Sequence, residues 1–137
     1  MSERTSGILA DHHIHALFAS GGLKSERPFD ADQVQPASLD LRLGAKAYRV
    51  RASFMPGPNK LVMDKLDQLK LHEIDLTNGA VLETGCVYIV PLLESLALPS
   101  EMAAAANPKS STGRLDIFTR VIVDRAYDSD KRPQALA

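Results

Sequence analysis

The chain has 137 residues, of which 45% are hydrophobic and 24% are charged, with a formal net charge of -1 at pH 7. This length and composition suit one soluble domain with a modest core, and they exclude an intrinsically disordered chain. Because 16 basic residues nearly balance 17 acidic ones, nucleic acid and anionic membranes are not expected as partners, and any anion site must be local.

The single cysteine, Cys86, lies in an apolar stretch over residues 86–90. It excludes an internal disulfide, fits a reducing compartment, and is expected to pack in the core as a small apolar side chain. The N-terminus carries no apolar signal segment, and no apolar run approaches the length of a membrane span. The expected location is therefore the cytoplasm.

The first half of the chain predicts one helix followed by strands. Apolar side chains recur at helical spacing over residues 7–20, with Asp11 placed to cap the helix and Gly21-Gly22 placed to stop it. Apolar and polar residues then alternate over residues 37–44, which is the pattern of a half-buried strand. Residues 48–54 are expected to form the partner of that strand.

The middle of the chain predicts short strands separated by turns. Residues 61–71 are charged with spaced leucines, and a surface helix and an insertion both remain open there. Strands are predicted at residues 74–76, 80–83 and 86–92, around a turn at residues 77–79. Such spacing is typical of an all-β sandwich or barrel. Nearer the C-terminus, further strands are predicted at residues 101–106 and 117–123.

The stretch at residues 107–114 has the residue types of a phosphate-binding turn. Lys109 offers a compact point charge and Arg114 a planar fork of donors. The hydroxyls of Ser110 and Ser111 can donate to phosphate oxygens, and Gly113 allows close approach of the backbone. A solvated turn with no ligand is the alternative interpretation of such a polar cluster.

Other common site chemistries are not supported by the sequence. His12, His13 and His15 point in different directions on a helix, with no carboxylate or thiol to complete a tetrahedral metal set, so no metal site is expected. One cysteine cannot supply the Cys-x-x-Cys of the zinc deaminases. The glycine spacings match neither the dinucleotide fingerprint nor the Walker loop, and no serine-hydrolase elbow is present.

Two motifs carry a family resemblance. The sequence Gln-Pro-Ala-Ser-Leu-Asp-Leu-Arg-Leu-Gly at residues 35–44 is followed, some sixty residues later, by Pro-Lys-Ser-Ser-Thr-Gly-Arg-Leu at residues 108–115. In this order they resemble the dCTP deaminase branch of the dUTPase-like superfamily. The match looks closest to the N-terminal part of the long, two-half bacterial dCTP deaminases, and it runs from Gly7 to about Arg125.

The resemblance implies a mainly β fold, a partial distorted jelly-roll of the dUTPase-like β-clip type with a short N-terminal helix. It also implies a homotrimer with active sites at subunit interfaces. The implied reaction is the hydrolytic conversion of dCTP to dUTP and ammonia in pyrimidine deoxynucleotide metabolism. No zinc takes part, and Mg2+ accompanies the triphosphate.

The family's functional residues carry over onto the second motif. Lys109 matches a basic phosphate contact, while Ser110 and Ser111 match hydroxyls at the reaction centre and the phosphates. Arg114 matches the motif arginine, which either binds phosphate or steadies a catalytic carboxylate. The resemblance thus assigns Ser110 and Arg114 as catalytic and all four as substrate-binding. In the first motif, Asp40 and Arg42 either form ion pairs that support the fold or contact the ligand.

The resemblance leaves the general base unaccounted for. Deamination at cytosine C4 without a metal needs a carboxylate to move protons, and family members carry that glutamate beyond the phosphate turn. Residues 124–137 diverge from the family pattern and contain no glutamate. We therefore expect one incomplete domain over residues 1–137 with a divergent tail at 124–137.

Such a chain is expected to be inactive alone and to act as a homotrimer or with a complementary chain. Two alternatives stay open: a dUTP pyrophosphatase-like enzyme and a non-catalytic assembly module of the same fold.

Overall fold

The structure is a computed structural model that describes residues 6–57 and 59–124. The helices are α1 (Asp11–Ala19), α2 (Val62–Leu69) and α3 (Ser110–Gly113), and the strands are β1 (Leu23–Ser25), β2 (Val34–Gln35), β3 (Ser38–Leu39), β4 (Lys46–Val50), β5 (Lys70–Asp75), β6 (Val87–Ile89) and β7 (Glu94–Leu96). Over these residues no helix has the length and apolar character to span a membrane.

The strands pair into small antiparallel sheets. In the largest, β4 lies between β5 and β6. β2 and β3 form a tight hairpin, and β1 pairs with β7, which places Leu23 opposite Leu96. Because β1 and β7 are distant in sequence, their pairing joins the N-terminal part of the chain to its second half. The prediction of a mainly β fold with a short N-terminal helix is confirmed.

The hydrophobic core lies between the largest sheet and α2. Tyr48 and Val50, on one face of β4, pack with Leu66 of α2, and the partly buried Phe54 and Ile89 pack against this cluster. Leu66 is fully buried, with 0% of its surface exposed. Within residues 61–71, Val62–Leu69 therefore form a helix that contributes a core side chain, and β5 begins at Lys70.

Helix α1 differs from its prediction at the start and agrees with it at the end. It begins at Asp11 after an extended Ala10, and the Asp11 carboxylate accepts a hydrogen bond from the His12 backbone N–H instead of capping the helix. The predicted glycine stop is confirmed: Gly21 has φ +80°, and the Gly22 N–H donates to the Leu17 carbonyl at 3.0 Å. Glycine adopts the left-handed backbone conformation after the last helical turn more easily than any other residue.

The prediction for residues 37–44 was wrong in its extent and in its partner. Only Ser38–Leu39 are strand, and the chain after them runs extended beside residues 91–93, with Leu43 bridged to Leu92. The proposed partner region contains β4, which pairs with β5 and β6 instead. Alternation indicates an extended, half-buried chain, but it does not select the neighbour that supplies the hydrogen bonds.

Three other predicted strands are not strands in the structure. Residues 80–83, 101–106 and 117–123 lie outside the helices and strands, since within the described part of the chain no neighbouring segment pairs with them. An extended segment becomes a strand only when another chain accepts its hydrogen bonds. Cys86, expected in the core, is half-buried just before β6.

Gly44 lies where two extended segments approach closely. Its N–H donates to the Pro91 carbonyl at 2.7 Å, and a Cβ at this position would lie 2.8 Å from the same oxygen. Gly44→Ala is therefore expected to push the two segments apart and lower the free energy of unfolding by about 1 to 3 kcal/mol, measured by urea denaturation. Gly113→Ala is the control, because a Cβ there meets nothing within 4 Å. Equal losses in the two variants would contradict this packing.

Candidate functional site

The two motifs meet through one ion pair. The Lys109 ammonium donates a hydrogen bond to Oδ2 of Asp40, which joins the turn at residues 108–115 to the extended segment at residues 35–44. The Lys109 side chain is 61% exposed and that of Asp40 is 33% exposed. An ammonium has three N–H donors, so two of them remain available to a ligand on the solvent side.

A polar cleft of about 260 Å3 opens beside this ion pair. It is lined by Asp30, Asp32, Gln33, Asp40, Leu41, Arg42 and Lys109. Pockets that enclose a whole small-molecule ligand usually measure about 300 to 1,000 Å3. The cleft can therefore hold part of a nucleotide-sized molecule and leaves the rest outside it.

The remaining predicted site residues lie on the turn next to the cleft. Lys109 has an extended backbone and precedes the single helical turn α3, which the Arg114 N–H closes by donating to the Ser110 carbonyl at 3.0 Å. The side chains of Ser110, Ser111 and Arg114 are exposed, and none of the three lines the cleft. Thus the structure brings Lys109 to the first motif and leaves its three neighbours open to solvent.

Arg42 is occupied by the protein itself. Its Nε donates to Glu94 at 2.8 Å, and its two terminal nitrogens donate to the Pro28 carbonyl, Asp30, Ser25 Oγ and the Arg27 carbonyl. These contacts use all five N–H donors of a guanidinium. Hydrogen bonds from Arg42 to Glu94, with a smaller contribution from Asp30, raise the pKa of Arg42 above its ordinary value. Of the two interpretations of Arg42, the structure favours support of the fold over ligand contact.

Glu94 and Gln33 are buried members of the same network, and neither was singled out from the sequence. As whole residues, Glu94 is 9% exposed and Gln33 is 4% exposed, and the Gln33 amide donates to Glu94 at 2.8 Å. The Arg42 N–H also donates to Glu94 at 2.8 Å. One signal was present in the sequence: Glu94 is a charge within an otherwise apolar run, and a buried charge needs a partner.

The three histidines of α1 do not form a cluster with other metal-binding side chains. His12 and His13 place their ring centroids 3.9 Å apart, whereas His15 lies toward Phe29, at 6.3 Å. Across residues 6–57 and 59–124, no three His, Cys, Asp or Glu side chains come together in a metal-binding group.

The chain is similar to proteins of one family. A family model described as "2'-deoxycytidine 5'-triphosphate deaminase (DCD) N-terminal domain" matches residues 5–137. The crystal structure of 2'-deoxycytidine 5'-triphosphate deaminase from Agrobacterium tumefaciens superimposes with a TM-score of 0.88 at 72% sequence identity. That match covers 96% of this chain and 39% of the Agrobacterium chain.

Curated relatives carry related names. A "dCTP deaminase, dUMP-forming" from Corynebacterium glutamicum (strain R) is 34% identical over 114 residues, which is 82% of this chain and 58% of the relative. A "dCTP deaminase" from Alteromonas mediterranea is 30% identical over 148 residues, covering 93% of this chain and 75% of the relative. The chain thus spans somewhat more than half of the length of the Corynebacterium protein.

Proposed function

This chain belongs to the dCTP deaminase family, and on that premise we propose that it binds dCTP with Mg2+ on the phosphates. In the proposed reaction dCTP is hydrolysed to dUTP and ammonia without zinc. The observation that carries the proposal is the contact between Lys109 and Asp40, because it unites the two family motifs at the edge of a polar cleft.

The proposed roles follow from the exposure and chemistry of the turn. Lys109 neutralises phosphate charge at the mouth of the cleft, using the donors that Asp40 leaves available. Ser110 and Ser111 donate their hydroxyls, with Ser110 nearest to the reacting base. Arg114 places its planar fork on phosphate oxygens or on a catalytic carboxylate, and its exposed position leaves room for either partner.

Proton transfer needs a further carboxylate, and two of those at the cleft are already engaged. Asp40 binds Lys109, and Asp30 lies 3.2 Å from Arg42. We propose that this chain binds the substrate and that an assembly, either a homotrimer or a complex with a complementary chain, supplies the general base, because none of the proposed substrate-binding residues of the turn carries a carboxylate. The exposed apolar side chains of Leu115, Ile117 and Phe118, the last 90% exposed, support burial against another subunit. The free thiol of Cys86 fits the cytoplasm.

Calorimetry tests the proposed binding. Titration of the chain with Mg–dCTP is expected to release or absorb heat, whereas deoxycytidine, which has no phosphates, is expected to give none. The titration is repeated after mixing with the full-length Agrobacterium enzyme, so that a site completed by another subunit is also detected. For the mixture, the heat is compared with that of the Agrobacterium enzyme alone, which is itself a dCTP deaminase. No heat with Mg–dCTP for the chain alone, together with no heat beyond this baseline for the mixture, would exclude the proposed function.

A dUTP pyrophosphatase-like activity is the second candidate. The name "dUMP-forming" in several relatives favours it, since dUMP arises from dUTP by loss of pyrophosphate. In the mixed assembly we expect ammonia release from dCTP to exceed pyrophosphate release from added dUTP. Both products are measured in the same reaction buffer with Mg2+, and the Agrobacterium enzyme alone serves as the baseline. A chain-dependent increase in pyrophosphate from dUTP, with no increase in ammonia from dCTP, would reverse the assignment.

A further inference from the structure

In the described part of the chain, the segment that carries the phosphate turn makes few hydrogen bonds with the rest of the protein. Before it, the Ala97 N–H donates to the Gly22 carbonyl at 2.8 Å, and after it, Asp124 accepts a hydrogen bond from the Val62 N–H at 2.6 Å. Residues 98–123 make one hydrogen bond to the rest of the described chain, from Lys109 to Asp40, and their other hydrogen bonds lie within the segment. Asp40 is therefore well placed to determine where the turn lies.

Asp40 is itself held firmly. Its N–H donates to the Gln33 carbonyl at 3.0 Å, and its carbonyl accepts from the Gln33 amide at 2.9 Å. Gln33 is buried and bonded in turn to buried Glu94. The Asp40 carboxylate thus projects from a backbone whose N–H and carbonyl are both hydrogen-bonded to buried Gln33. The turn that this carboxylate contacts is exposed.

We propose that Asp40 is a positioning residue that docks the turn at residues 109–114 onto the first motif through Lys109. By holding the ammonium at the cleft, it fixes the location of the turn before any ligand arrives, which lowers the entropy cost of binding. The consequence for dCTP rests on the proposed function, whereas the docking rests on the contact itself.

A purely electrostatic role makes the opposite prediction. A carboxylate beside an anion site repels the anion, so removing its charge would tighten the binding of a triphosphate. Asp32 provides the matched control for this effect. It lines the same cleft and is exposed, but it has no contact with Lys109. Asp32→Asn therefore removes a charge from the cleft and leaves the docking contact intact.

Binding measurements separate the two roles. For Asp40→Asn we expect the Kd for Mg–dCTP to rise about fivefold, the most that an exposed ion pair usually contributes. For Asp32→Asn we expect an unchanged or lower Kd. In the Lys109→Met protein, the additional substitution Asp40→Asn is expected to leave the Kd unchanged, because the contact is already lost. Asp40→Glu keeps the carboxylate and is expected to have a Kd close to that of the wild type. If Asp40→Asn binds as tightly as Asp32→Asn, the positioning role is wrong.

Limited proteolysis tests the docking without any ligand. Trypsin cleavage after Arg114 is expected to be up to about fivefold faster in Asp40→Asn and in Lys109→Met, because both lose the same contact. Asp32→Asn is expected to match the wild-type rate. Equal rates in all four proteins would overturn the docking, whether or not dCTP binds. Conversely, faster cleavage together with no binding of Mg–dCTP by the wild type, either alone or in the mixture, would refute the proposed function and leave the docking intact.

Discussion

Glu94→Ala is expected to lower the free energy of unfolding by about 3 to 5 kcal/mol, the loss that follows when one partner of a buried ion pair is removed. The Glu94 side chain is 1% exposed and accepts hydrogen bonds from Arg42 and Gln33. Without it, a guanidinium that is only 12% exposed loses its main partner. Urea denaturation followed by circular dichroism measures the change.

Glu73→Ala is the matched control for this variant. Glu73 also forms an ion pair, with Lys46 at 2.6 Å, but its side chain is 45% exposed. Exposed pairs contribute little because water competes for both charges. Glu94→Ala is therefore expected to be much less stable than Glu73→Ala. Comparable stabilities of the two variants would show that the buried network does not hold the first motif in place.

Arg114→Ala is expected to weaken the binding of Mg–dCTP by about 1.5 to 3 kcal/mol, the range for hydrogen bonds to a charged group, which corresponds to roughly 10- to 150-fold in Kd. Arg114 is exposed on the turn, so its removal is expected to leave the fold unchanged. Calorimetric titration of the variant with Mg–dCTP gives the Kd. The urea midpoint of unfolding, measured without ligand, is expected to equal that of the wild type.

Arg120→Ala controls for the loss of one positive charge. Arg120 is exposed on the same segment but lies outside the turn. Its replacement by alanine is expected to change the Kd for Mg–dCTP by less than about twofold, because salt screens a surface charge at a distance. If both arginine variants bind equally, the guanidinium of Arg114 makes no specific contact with the phosphates.

Local signals in the sequence predicted the features that depend on nearby residues. The glycines at 21 and 22 end α1 as expected, since a left-handed residue is a property of the backbone at one position. The prediction that residues 107–114 form a polar turn was equally local, and α3 lies there. The assignment of Lys109, Ser110, Ser111 and Arg114 to substrate stays a prediction.

Contacts between distant segments were not predictable from one sequence. Arg42 and Glu94 are 52 residues apart, and a charge in an apolar run indicates that a partner exists without identifying it. The same limit applies to β4, whose partners β5 and β6 come later in the sequence and are not identified by the residues of β4 alone. Residues 117–123 have strand-forming side chains, yet strand formation depends on a neighbour that local propensity does not specify.

We propose that the turn at residues 109–114 receives the phosphates of a deoxynucleoside triphosphate beside Asp40. Amide chemical shifts of the isotopically labelled chain, recorded during titration with Mg–dCTP, test it most directly. The largest shifts are expected at Lys109, Ser110, Ser111 and Arg114, with a further shift at Asp40 and no such shifts with deoxycytidine. Saturable shifts confined to other parts of the chain, or no shifts at the turn, would contradict it.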